Sequence, residues 1–210
     1  MKTKKRRYET YSFYDHTGIA AHLEKMARKG WMLEEITSWT WVYRKIQPAA
    51  LSFAVCYYPQ ASQFDPKPSW EQETFYDFCA HTGWKLACSS AQMQIFYNES
   101  PNPLPLETEP VLEIDTIHKA AVKTFLPAYF VLMAVALLQI FLLFFRMMNN
   151  PIQLLANSSS LFGGFAWCLC TILCLAEIGG YFRWHRKAKK AAEYGEFTAV
   201  SGHSQLTKAA

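Results

Sequence analysis

The segment FLPAYFVLMAVALLQIFLLFF, Phe125–Phe145, runs for 21 residues without a charged side chain. A helix rises about 1.5 Å per residue, so a run of this length spans the roughly 30 Å hydrocarbon core of a bilayer. Pro127 falls in its first turn, where a missing N–H is tolerated. Tyr129 sits near the entry, where interfacial aromatics gather. A second run, LFGGFAWCLCTILCLAEIGGYF at Leu161–Phe182, has 22 residues and one ionisable group, Glu177. Both runs are apolar all round, and no third element of comparable length could cover them as a soluble core requires. The pattern predicts transmembrane helices over 124–146 and 161–182, joined by an external loop at 147–160.

The rest of the chain has a different character. Of its 210 residues 51% are hydrophobic and 16% aromatic, the mean hydropathy is −0.05, and the formal net charge is +4. Residues 1–123 hold 14 of the 21 Lys and Arg and 14 of the 17 Asp and Glu, so that part is formally neutral. The excess belongs to residues 124–210. These figures exclude a disordered chain, a coiled coil and a collagen-like repeat. They also exclude a basic nucleic-acid-binding domain, whose charge should lie in the folded part, so no nucleic-acid partner is expected.

Basic residues beside the spans set their orientation. Arg183, Arg186, Lys187, Lys189 and Lys190 follow the second span at once, whereas Arg146 is the single basic residue at the edge of the loop. Lys119 and Lys123 precede the first span. The expectation is a multi-pass membrane protein with both termini cytoplasmic. Its tail, 183–210, suits anionic lipid head groups as well as fixing topology. No secretory signal peptide is expected, because the basic start leads into YETYSFYDHTG and not into an apolar stretch. Cys56, Cys79 and Cys88 lie on the cytoplasmic side of this arrangement, and Cys168, Cys170 and Cys174 in the second span. None lies in the external loop, so reduced thiols are expected and not disulfides.

Residues 1–97 read as a small α+β domain. A strand is predicted at Arg7–Tyr14, then a helix capped by Asp15 or Thr17 and running to Lys29. Ile19, Leu23, Met26 and Ala27 form its apolar stripe. Gly30 stops it. Strands follow near Trp31–Thr37, Trp39–Lys45 and Leu51–Tyr58. Ser69-x-x-Gln72 then reads as a capping box opening a second helix. Gly83 ends that helix, and strands follow at Trp84–Ser90 and Met93–Tyr97. At an offset of 53 residues Ala27, Gly30, Trp31 and Leu33 match Ala80, Gly83, Trp84 and Leu86. A duplicated strand–helix–strand–strand unit is therefore expected. The connector at 98–123 carries Pro101, Pro103, Pro105 and Pro110 among Glu99, Glu107, Glu109, Glu113 and Asp115, which predicts a stiff, solvated spacer.

The string Phe13-Tyr14-Asp15, followed by Leu23-Glu24-Lys25-Met26-Ala27-Arg28-Lys29-Gly30-Trp31-Met32-Leu33, resembles the DUF2812 family. Its members carry a Met-Ala-x-Lys-Gly-Trp core ahead of an aromatic strand, and often C-terminal membrane spans. The likeness covers roughly residues 8–100; His22 stands where the family commonly has Trp. The resemblance implies a bacterial cell-membrane protein of unknown function, of a kind often encoded beside PadR-type transcriptional regulators. It brings no catalytic residues.

The sequence carries few motifs with chemistry of their own. There is no CxxC, HExxH or phosphate-binding glycine loop, so no metal, no cofactor and no enzymatic activity are expected. Glu34 and Glu35 are adjacent on a strand and point to opposite faces, which rules out joint acid–base work. The expected ligand or partner surface is aromatic: Trp39, Trp41, Tyr43, Phe53 and Tyr57 on one sheet face, fit for a small apolar ligand or a protein partner. Glu177 and Gln139 are the polar groups within the spans, assigned to anchoring or to packing in a homo-oligomer. The leading expectation is a membrane-tethered, non-enzymatic sensing or interaction module. The alternative is a small membrane subunit of a transporter or envelope complex.

Overall fold

The computed structural model describes residues 3–37, 40–61, 68–106, 109–149 and 158–194. It is a mixed α+β protein with two three-stranded antiparallel sheets and two long apolar helices toward the C-terminus. The chain divides into two units. One holds the residues up to Ala121 together with those from Lys187, the other Val122–Arg186.

In the first unit β1 (Lys4–Arg7), β3 (Trp41–Lys45) and β2 (Trp31–Ile36) form one sheet in that order. The second sheet has the order β4 (Ser52–Tyr57), β6 (Met93–Asn98), β5 (Lys85–Ser90). Helix α1 (His16–Arg28) precedes the β2–β3 hairpin, and α2 (Trp70–His81) precedes β5–β6. Asp15 caps α1 by accepting from Gly18 N–H at 3.0 Å, which satisfies one of the orphan donors of the first turn. Ile19, Leu23, Met26 and Ala27 are buried as their spacing predicts. Removing each of the large ones from water contributes about 1.5–3 kcal/mol. Helix α1 packs on β2 and also on β4 of the other sheet, and the sheets meet along β2 and β5.

Both helices stop at a glycine in the left-handed region. Gly30 has φ +79° and Gly83 φ +84°, and a Cβ on Gly30 would lie 2.9 Å from Ile46 O. Side chains are disfavoured at both positions. The two halves also share an irregularity. The β2–β3 register shifts between Leu33 and Glu35, and the β5–β6 register shifts between Leu86 and Cys88, which is the same place at the 53-residue offset. Such a bulge adds local twist and re-aims the residues beyond it.

Several local expectations change. The first strand is Lys4–Arg7 and not Arg7–Tyr14. Its partner β3 begins at Trp41, which pairs with Arg7, so the chain beyond has nothing to pair with. It turns instead, Asp15 N–H donating to Ser12 O at 2.9 Å, and enters α1. Trp39 lies outside the described residues. The Ser69–Gln72 box is half made: Ser69 Oγ accepts from Gln72 N–H at 3.3 Å, but the Gln72 side chain donates to the Tyr76 hydroxyl at 2.5 Å.

The connector departs most from expectation. Pro110–Ala120 forms a helix, α3, with Ile114, Ile117 and Ala120 buried. Trp84 Nε1 donates to Leu104 O at 2.8 Å, and Leu106 packs against a core of Cys56, Cys79, Trp84 and Phe96. Proline and acid content suggested a solvated spacer; the few apolar side chains among them outweigh it by packing against the domain.

A π turn at Ala121–Phe125 follows α3, then α4 (Leu126–Asn149); α5 spans Ser158–Glu193. Only 6% and 11% of their most apolar stretches are buried. They are therefore not core helices, and they are long and apolar enough to cross a membrane. In this second unit the Phe125 ring lies 5.8 Å from that of Tyr181, while a Cβ on Gly164 would lie 3.2 Å from Leu143. The two helices run antiparallel. By that pairing Glu177 is level with Tyr129 and Gln139 with Trp167, roughly 15 Å apart at about 1.5 Å per residue. Helix α5 continues past the predicted end at 182, so Arg183, Arg186, Lys187, Lys189 and Lys190 are helical, and all five are exposed.

Candidate functional site

Trp41, Tyr43 and Tyr57 are only 7%, 0% and 4% exposed. The face expected to offer them to a ligand or partner is closed. The Tyr11 ring lies 5.7 Å from Trp41, and the Tyr57 hydroxyl donates to Phe13 O, with the two rings 4.9 Å apart. The loop before α1, having no strand to pair with, folds over this face. These residues are core. Phe53, also buried, borders a cavity.

Beneath the loop lies a polar cluster. His22 Nε2 is 3.1 Å from the Tyr43 hydroxyl and 3.3 Å from Glu9 Oε1, and Arg7 Nε is 3.0 Å from the same oxygen. No hydrogen bond of good geometry completes on Glu9 Oε1, so the attraction there is electrostatic. Burial pushes the His22 imidazole below its ordinary value, against the pull of Glu9. His22 is thus held neutral, and Arg7–Glu9 is the charged pair. Burial pushes the Tyr43 phenol up, and that of Tyr11 up to about 12.

The cavity holds about 360 Å³, within the range of small-molecule sites. Helix α1 supplies one wall with His16, Thr17 and Ala20, and β4 a second, from Ser52 to Cys56. Trp84 and the connector residues Pro103, Pro105 and Leu106 line the rest, and Glu113 reaches it from α3. The lining is mainly apolar. At its polar corner His16 Nε2 lies 3.0 Å from Glu113 Oε1, and His16 Nδ1 lies 3.1 Å from Tyr14 O. The second contact fixes the ring and aims Nε2 at the carboxylate.

His16 and His22 do not converge. Six residues apart on a helix of 3.6 per turn, they leave α1 on different sides, and each meets its own carboxylate. Among the described residues no group of three or more His, Cys, Asp or Glu could hold a metal ion. Sequence reasoning found neither His–Glu pair. Glu9 and Glu113 come from a presumed strand and a presumed spacer, and no local periodicity links them to α1.

A cavity in an α+β unit whose chain continues into two membrane-length helices defines a class: a small domain with a built pocket, followed in sequence by membrane-spanning candidates. The family model for DUF2812, described as a protein of unknown function, matches residues 15–130. The chain belongs to that family. The match runs past residue 100 to take in α3, which carries Glu113 of the cavity, and the start of α4. No curated protein and no solved structure matches the chain.

Proposed function

We propose that the chain is a membrane-tethered, non-enzymatic sensing module whose cavity binds a small, largely apolar molecule. One observation carries this reading: Pro103, Pro105 and Leu106 line the cavity just before α3, Glu113 lines it from α3 itself, and α3 runs on through a π turn into the first apolar helix. A ligand that touches this wall alters the free energy of α3 against the domain, which is what a sensor needs. The buried aromatic set stiffens the frame. Both His16 nitrogens are engaged by protein groups, which supports binding over catalysis.

In this proposal the protein resides in a bacterial cell membrane as a multi-pass protein with both termini cytoplasmic. The support is the run of five basic residues after Phe182 against Arg146 alone beside the loop. The shared bulge position and helix stops support reading the two halves as copies of one unit. The readout would be a protein partner, with a PadR-type transcriptional regulator as the expected class; the support for that class is the family resemblance. The test is extraction of small molecules from the full chain purified in mild detergent. Wild type should carry a compound that Ala20→Phe, which fills the cavity, lacks. Identical extracts would contradict the proposal.

A further inference from the structure

The ionisable groups at the cavity are His16, Glu113 and the Cys56 thiol; among the described residues no Lys or Arg lines it. We propose that the cavity selects an apolar monocation, whose ammonium group is held by the Glu113 carboxylate. This inference rests on the cavity being a ligand site, as proposed above, and adds the charge of the ligand.

An anion in the cavity would face the Glu113 carboxylate, with His16 as the only cationic candidate, and His16 Nε2 already lies 3.0 Å from that carboxylate. It would meet repulsion without a compensating partner. A neutral molecule fills the apolar walls and leaves the carboxylate to His16. A cation does more. It can take the place of His16 at Glu113, so that the carboxylate keeps a charged partner in surroundings less polar than water, where such an attraction is strengthened. The imidazole need not leave the site, because its Nδ1 has its own partner in Tyr14 O, 3.1 Å away and independent of Glu113. Phe53 and Trp84 line the same space, and aromatic faces favour cations over neutral ligands of equal shape.

The test uses three ligands of nearly equal size, 2-naphthylmethylammonium, 2-naphthylmethanol and 2-naphthoate. Each is titrated by calorimetry into the full chain in a non-ionic detergent, with Ala20→Phe as the blank. The ammonium should bind at least about tenfold tighter than the alcohol, as expected for a charge-assisted hydrogen bond, and the carboxylate weakest. Glu113→Gln should abolish the preference for the ammonium while leaving alcohol binding intact. His16→Gln, which keeps the carboxylate, should retain it. Equal binding of ammonium and alcohol, or a preference for naphthoate, overturns the charge assignment and leaves the cavity reading standing. Loss of the preference in His16→Gln as well overturns the assignment to Glu113. Failure of all three ligands to bind wild type, or binding that survives in Ala20→Phe, overturns both.

Discussion

His22 Nε2 lies 3.1 Å from the Tyr43 hydroxyl, where the residues 53 positions on, Phe75 and Phe96, bring two apolar rings to 5.8 Å in an edge contact. The same helix–strand contact is polar in one half and apolar in the other. The polar version also draws in the half-buried Glu9 and the exposed Arg7, and the His22 imidazole at its centre gives a stability that depends on pH.

The sign follows from the direction of the His22 shift. Burial lowers the imidazole in the folded state relative to about 6.5 in the unfolded chain. Between the two values the unfolded state binds more protons. The stability is therefore fully present above about pH 6.5 and is lost as pH falls through the lower, folded value. His22→Phe, copying the second half, should flatten that part of the profile. Pulse proteolysis in urea across the acid range checks it, and an unchanged slope between wild type and variant would refute it.

Ala91, in the β5–β6 turn, has φ +52°, the one described non-glycine residue with positive φ. An L side chain there costs about 1 kcal/mol. Ala91→Gly should raise stability by about that amount, less what glycine adds to the unfolded chain's entropy. The same urea assay reads it. A loss of stability would show that the Ala91 methyl packs more strongly than its backbone is strained.

Helix α3 should behave as part of the domain. Ile117 is buried on it, so Ile117→Ala should cost about 2–5 kcal/mol, as for a core position. A solvated spacer would give within about 0.5 kcal/mol of no change.

Much of the architecture was legible because it rests on local patterns. The α1 stripe, the glycine stops at Gly30 and Gly83, and the length of the two apolar runs each declare themselves within a few turns of chain. The candidate site was not, because it is made of pairings across the fold. His16 meets Glu113 across most of the domain sequence, and Tyr57 meets Phe13 only because the loop between β1 and α1 folds back over the sheet. Trp41 and Tyr43 do share a face as their alternation implies, but alternation cannot say whether a face is open or covered. The connector misled for a related reason: proline and acid content describes solvation of the chain alone, and Ile114, Ile117 and Leu106 found partners elsewhere.

Burial also governs the thiols. It pushes Cys79 up to about 11 and raises Cys88. The thiolate is the reactive form. At neutral pH both should resist alkylation in the native chain and react on denaturation, as read by mass spectrometry of the labelled peptides. Native labelling of Cys79 at the rate of an unfolded thiol would contradict the packing of α2.

In this proposal the content of the cavity sets the state of α3. Hydrogen exchange of the full chain in lipid nanodiscs tests it, comparing wild type stripped of bound compound with Ala20→Phe, whose ring takes the place of a ligand. The account predicts exchange slowed by about tenfold across Glu113–Ala120, equivalent to about 1.4 kcal/mol, with α2 unchanged as an internal control. Identical exchange in α3, in a variant whose α2 protection shows it to be folded, would contradict it.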